Sequence, residues 1–251
     1  MDPSLWQIPV LFGVGVVAGI LNVLAGGGSL LTLPLLIFMG LPSAMANGTN
    51  RIAIFCQNLF AIRGFRQRGM LPMNLALLCT PPALLGSWWG ANLAISLDDQ
   101  LFKRLLALIM LGVLIFTALD PMKRFRRQER EFSLRRKLVL VVSFFGVGVY
   151  GGFVQAGVGF LVITALLAHG LDLVRINAIK VFVIFAYTFI ALGVFIYHDQ
   201  INYGLGFALA AGNSLGGMLG PKLAVDKGHD WIKKVVTITV AVFALKLLFF
   251  P

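Results

Sequence analysis

Two polar clusters interrupt apolar sequence at matching places: Asn47-Gly-Thr49-Asn50-Arg51 and Asn177-Ala-Ile-Lys180. Cations and carboxamides are costly inside hydrocarbon, so each needs a partner or a task. A guanidinium offers a two-pronged fork and an ammonium a point charge, and both suit an oxyanion. Upstream of each cluster lies a glycine-containing break. The first is Leu24-Ala-Gly-Gly-Gly-Ser-Leu-Leu-Thr-Leu-Pro34 and the second, weaker copy is Gln155-Ala-Gly-Val-Gly-Phe-Leu-Val-Ile-Thr-Ala165. Gly26, Gly27, Gly28, Gly157 and Gly159 permit positive φ and close backbone approach. A helix starting behind each break, at Ser29 in the first copy, presents free N–H groups and a positive dipole end to an anion. Asn22 precedes the first break and Gln155 takes the corresponding place before the second.

Three blander readings stand beside this one. Arg51 and Lys180 lie about two turns into their segments, roughly 10 Å from the end, and long cationic side chains at such depth can snorkel to the headgroups. The glycines can serve as kinks that only let helices cross closely. Gln57, Asn58 and Tyr187 can add hydrogen bonds at the site or simply make single contacts between helices.

The elements that must position these groups are membrane helices. The chain has 251 residues, is 59% hydrophobic and 12% charged, and has a mean hydropathy of +0.90. Soluble domains carry about 45–50% apolar and about 25% charged residues, so the excess here must be covered by lipid. The start, Met-Asp-Pro-Ser-Leu-Trp-Gln, has no cationic n-region, and the first apolar stretch is expected to remain in the protein. Apolar segments run at 8–24, 28–39, 43–63, 72–96 and 101–119, and again at 138–156, 158–169, 175–197, 204–225 and 231–250. About 20 residues cross a bilayer as a helix. Segments 28–39 and 158–169 fall short and read as half-helices.

The halves are copies. Phe12-Gly-Val-Gly15 matches Phe145-Gly-Val-Gly148, and Gly19 matches Gly152. One constant offset then pairs Gly40 with Gly170, Asn47 with Asn177, Asn50 with Lys180, Gly86 with Gly216, Gly90 with Gly220 and Leu93 with Leu223. It also sets Lys103-Arg104 against Lys233-Lys234. The expected fold is an all-α polytopic membrane protein of two inverted-topology repeats, each with a broken or re-entrant helix pair plus three full transmembrane helices. The repeats span 1–120 and 138–251, joined by a basic linker at 121–137.

Charge sets the orientation. The formal net charge is +11, and Lys123, Arg124, Arg126, Arg127, Arg130, Arg135, Arg136 and Lys137 crowd the linker. That placement reads as a cytoplasmic loop rather than a nucleic-acid surface, with attraction to anionic lipid as a secondary role. Arg63, Arg66, Arg68, Arg175, Lys227, Lys233 and Lys234 then fall inside, while Ser96–Asp99, His198–Asn202 and the N-terminus fall outside. Two broken regions entering from opposite faces would meet near the midplane.

Other chemistry has little support. Cys56 and Cys79 sit in apolar segments and read as small hydrophobes. The three histidines lie far apart, so no metal or other cofactor is expected, and neither paired carboxylates nor a nucleophile–base set suggests an enzyme. Gly86-x-x-x-Gly90 and Gly216-x-x-x-Gly220 read as close-packing faces, within the chain or in a homo-oligomer. Trp88 and Trp89 lie too deep for an interfacial belt and suggest a packed or pore-lining surface. Lys246 is expected to snorkel.

The stretch Ala18-Gly-Ile-Leu-Asn-Val-Leu-Ala-Gly-Gly-Gly-Ser-Leu-Leu-Thr-Leu-Pro-Leu-Leu, followed by Met39-Gly-Leu-Pro-Ser-Ala-Met-Ala-Asn-Gly-Thr-Asn, resembles the sulfite exporter TauE/SafE permease family. The second copy departs from that pattern: Gly-Val-Gly replaces a richer glycine run, and Ala165 stands where the family tends to have proline. The resemblance implies a secondary transporter of sulfur-containing anions (sulfite, sulfonates or sulfoacetate) in a bacterial plasma membrane. Proton coupling would need the anion's own protonation or a lysine, because no carboxylate is evident at membrane depth. The residues alone lead to an anion carrier and leave open a carboxylate or other small organic anion. They also leave open an anion channel, which saturable exchange would exclude.

Overall fold

The computed structural model describes residues 6–119, 133–167 and 170–249, with 25, 114, 116–119 and 227–249 as backbone alone. Among them the elements are helices: α1 (Gln7–Ala25), α2 (Ser29–Phe38), α3 (Ser43–Gln67), α4 (Met73–Ser96), α5 (Asp99–Leu119), α6 (Leu134–Phe153), α7 (Val158–Leu167), α8 (Leu173–Tyr197) and α9 (Tyr203–Phe249). This is a multi-pass, all-helical membrane protein. Gln7–Leu24, Leu134–Phe153 and Leu173–Tyr197 are long and apolar enough to cross a bilayer. Helix α3 is long enough but too polar to qualify by composition. Its polar residues are instead buried: Asn47, Thr49, Asn50, Arg51, Gln57 and Asn58 are all at most 1% exposed. A helix that polar is tolerable in lipid only when other helices enclose it.

The breaks lie where the sequence places them. Gly26 ends α1 at φ 80°, its N–H returning to Asn22 O (2.8 Å), and Gly157 precedes α7 at φ 74°. Only glycine adopts that conformation without cost, so the chain can reverse there. The short helices α2 and α7 have 10 residues each, about 15 Å at 1.5 Å per residue. Each is followed by a left-handed glycine, Gly40 or Gly170, before the next long helix.

Packing contacts fix relative directions. Phe55 stacks on Phe185 (4.6 Å between ring centroids), and Asn202 N–H, just beyond α8, donates to Thr49 Oγ1 near the start of α3 (2.9 Å). Helices α3 and α8 therefore run antiparallel. Gly216 meets Val16 and Gly19 while Gly220 meets Val23, so α1 and α9 run parallel; Gly86 against Phe145 and Gly90 against Val149 show the same for α4 and α6. Both glycine pairs thus bring helices to backbone contact.

This arrangement gathers Arg63, Arg66, Arg68, Arg135, Arg136, Lys137 and Arg175 toward one end. Asp98, Asp99, His198 and Asp199 lie at the other, where Ser43 N–H donates to Asp99 Oδ1 (2.6 Å) and Lys103 pairs with Asp99 (2.6 Å). The linker cations at 123–130, and the side chains of Lys227, Lys233, Lys234 and Lys246, lie outside the described residues.

Two expectations change. Segments 204–225 and 231–250 form one helix of 47 residues rather than two, so the second half has two long helices after its broken pair. The junction Asp226-Lys-Gly-His-Asp230 has charge but no proline and a lone glycine, which leaves the i→i−4 ladder uninterrupted. Trp88 and Trp89 are 53% and 64% exposed, lining an outer apolar groove with Leu84, Leu85, Phe145 and Ile190. Neither packs into the interior, because the small residues Ser87, Gly90 and Ala91 take α4's inward face.

Candidate functional site

The two breaks touch. A methyl group placed on Gly26 would sit 2.1 Å from Cα of Gly159, so the chain reversals meet backbone to backbone. Around this contact the halves hold one another by matched clamps. Asn177 Nδ2 donates to Leu24 O (3.0 Å) and Lys180 Nζ to Val23 O (2.8 Å), at the C-terminal end of α1. In return, Asn47 Nδ2 donates to Phe153 O (2.8 Å), and Arg51 donates to Gly151 O (3.0 Å) and Gly152 O, at the C-terminal end of α6. In both clamps the asparagine oxygen accepts from its neighbouring cation, Lys180 at 2.7 Å and Arg51 at 3.4 Å.

The physical logic is that of a helix C-terminus. The last carbonyls of α1 and α6 have no intrahelical donor and carry partial negative charge, which cations satisfy. The N-terminal ends of α2 and α7 start beside them, and their first turns close partly on themselves: Leu30, Leu31 and Thr32 donate to the Gly27 and Gly28 carbonyls, and Phe160 to Gly157. Carbonyl oxygens neutralise a cation only partially, and among the described residues the buried charged ones are Arg51 and Lys180, with no carboxylate. Two basic groups thus meet there with no acid among the described residues.

Snorkelling is overturned for both cations, which are 0% exposed. Each lies about one turn beyond an asparagine that reaches the opposite half, so its side chain runs inward along that path. Arg51 also lies over the Phe195 ring, 4.8 Å from its centroid.

The remaining candidates sort by contact. Asn22 Nδ2 donates to Gln57 Oε1 (3.1 Å), and Gln155 Nε2 donates to Tyr187 Oη (3.3 Å) and Thr188 Oγ1 (3.1 Å). The offset pairing Asn47 with Asn177 also pairs Gln57 with Tyr187, so these contacts are counterparts. Gln155 Oε1 accepts from Arg51 (2.9 Å). Thr32 Oγ1 donates to Asn50 Oδ1 (2.7 Å), joining α3 to the first turn of α2, where Ser29 is buried. Gly28 approaches the Ala18 carbonyl, and Gly27 lies near Phe160. Thr49 is not part of this center; its hydroxyl anchors the chain after α8. Asn213 of α9, which donates to Gln57 Oε1 (3.4 Å), was not singled out in the sequence. Its signal was one carboxamide in the run Ala210-Ala-Gly-Asn-Ser, which otherwise reads as a small-residue packing face.

An interior of this kind, with two helices broken at the same place and charge enclosed by ten or so amides and hydroxyls, belongs to membrane transport proteins rather than to packed scaffolds. The pattern of the sulfite exporter TauE/SafE family matches residues 11–247, and the chain belongs to that family. It is 30% identical to a probable membrane transporter protein of Haemophilus influenzae, over 99% of this chain and 97% of that one. It is 27% identical to the probable membrane transporter protein YfcA of Escherichia coli K12, over 96% and 89%, and 26% identical to the probable membrane transporter protein ORF9 of a Sinorhizobium species, over 100% and 95%. No solved structure matches the chain.

Proposed function

We propose that this membrane transporter carries small sulfur-containing anions (sulfite, sulfonates or sulfoacetate) across a bacterial plasma membrane, by alternating access between two inverted halves. The observation that carries the reading is the pair of fully buried cations at the joined breaks, with no carboxylate among the buried charged residues described. An anion entering there would complete the charge balance that backbone carbonyls leave unfinished, and the positive dipole ends of α2 and α7 begin beside the same contact. The antiparallel course of α3 and α8, which are equivalent in the duplication, supports inverted halves. The gathering of cations at one end supports that end as cytoplasmic and the N-terminus as external. The sulfur chemistry comes from the family's name and not from the geometry.

The clamps support alternating access. Each half grips the other's broken helix through an asparagine and a cation, so loosening one clamp while the other holds would open the center to one face at a time. The test is flux of labelled sulfite and sulfonates in vesicles at equal protein abundance. Arg51→Met and Lys180→Met are each expected to lower the rate by about tenfold or more, the equivalent of one lost charge-assisted hydrogen bond. Wild-type rates in both variants would overturn the site.

A further inference from the structure

We infer that the first-half break, not its second-half counterpart, takes the polar end of the ligand, and that this ligand is an oxyanion carrying a hydrogen-bond donor of its own. The inference rests on the anion-transport reading above and narrows it.

The two breaks differ in how completely their side chains are satisfied. Beside the second break, Gln155 uses both ends of its carboxamide, and neither it nor Tyr187 nor Thr188 has an orphaned side-chain atom. Beside the first break, Ser29 Oγ, Asn50 Nδ2, Asn58 Nδ2 and Asn213 Oδ1 are buried and have no partner among the described residues. Arg51 Nε also lacks a partner among the described residues, but its guanidinium lies against Gln155 and the α6 carbonyls, beside the second break. Each residue is at most 1% exposed. Leaving such a group unpaired costs about 1–3 kcal/mol, so four beside the first break against one beside the second mark the first as a place built for something else to bond.

Their polarity narrows what that is. Gln57 is the hub: its Oε1 accepts from Asn22 and Asn213, and its Nε2 donates to Asn58 Oδ1 (3.3 Å). The chain of amides then ends on a free donor at Asn58 and a free acceptor at Asn213. A carboxamide can present either end to its neighbours, and the balance holds both ways. Turning the Asn22, Gln57, Asn58 and Asn213 amides over together leaves the acceptor at Asn58 and the donor at Asn213. One donor and one acceptor remain either way. With Asn50, the site offers surplus N–H groups to an oxyanion's oxygens, and it also has an oxygen that only a donor can satisfy. A fully deprotonated, donor-free anion would leave that oxygen buried and unpaired. A hydroxyl- or amino-bearing sulfonate, or a protonated monoanion, would not.

The test compares ligands that differ by one hydroxyl on purified full-length protein: isethionate against ethanesulfonate, and glycolate against acetate, by isothermal titration calorimetry. The hydroxylated member of at least one pair is expected to bind about tenfold or more tightly. That ratio should fall toward one in Asn213→Leu and in Asn58→Leu, while Thr188→Val on the opposite side keeps it. Each ratio is taken within one variant, so a reduced folded fraction does not alter it. Equal affinity within both pairs, or a ratio abolished by Thr188→Val and kept by the two asparagine variants, would overturn the inference and leave anion transport standing. Absence of binding by all four, together with no sulfite or sulfonate flux, would overturn the transport reading and this inference with it.

Discussion

Arg51 and Asn47 share one task with Lys180 and Asn177, yet the two sets do not contribute equally. Removing either asparagine amide frees one backbone carbonyl, at Phe153 or at Leu24. Asn47→Leu and Asn177→Leu should therefore destabilise by similar amounts, about 1–3 kcal/mol each. Arg51→Met strands the Gly151 and Gly152 carbonyls and Gln155 Oε1 together, and its melting temperature in detergent should fall further than with either asparagine variant. Equal shifts in all three would argue against the clamp. The sequence singled out these residues because a cation or amide in apolar surroundings stands out by itself. Their true contacts were not legible there. Whether Arg51 snorkels or turns inward depends on the α6 C-terminus, about 100 residues away.

The helix boundaries at the breaks were legible from glycine, whereas Pro34, Pro81, Pro82 and Pro221 lie inside helices. Gly26, Gly40, Gly157 and Gly170 all sit at left-handed positions between elements. Where punctuation is missing, at Asp226–Asp230, hydropathy alone suggested a gap and the helix continues through it. The two glycines of the first half also separate two effects. At Gly40 (φ 94°) a methyl group meets nothing within 4 Å, so Gly40→Ala should cost only backbone strain, about 1–2 kcal/mol. At Gly26 the same strain adds to a backbone collision with Gly159. Gly26→Ala should therefore abolish transport and sharply lower thermal stability, while Gly40→Ala keeps most of both. Comparable behaviour of the pair would show that the breaks do not meet.

Across the whole molecule, the matched glycines and asparagines were readable in the sequence, but not the contacts exchanged between its first and second parts. Helix α1 packs along α9 and α6 along α4, each a helix of one repeat against a helix of the other. The sequence could not give these pairings because they depend on which small residues face each other across large separations. The inverted arrangement predicts labelling by a membrane-impermeant thiol reagent in a background with Cys56 and Cys79 replaced. Arg68→Cys and Arg175→Cys should react from the cytoplasmic face, and His198→Cys from the opposite face. Reaction of all three from one side would contradict it.

The central claim is that both breaks line one water-accessible, anion-binding center, and thiol access at the breaks tests it most directly. In the same cysteine-free background, Ser29→Cys and Val158→Cys, at the first residues of α2 and α7, are each exposed to a small hydrophilic thiol reagent with and without sulfite or isethionate. Both positions are predicted to react slowly, with the anion slowing each further. If both stay unreactive from either face in every condition, or react at rates no anion changes, the breaks form no shared center for an anion.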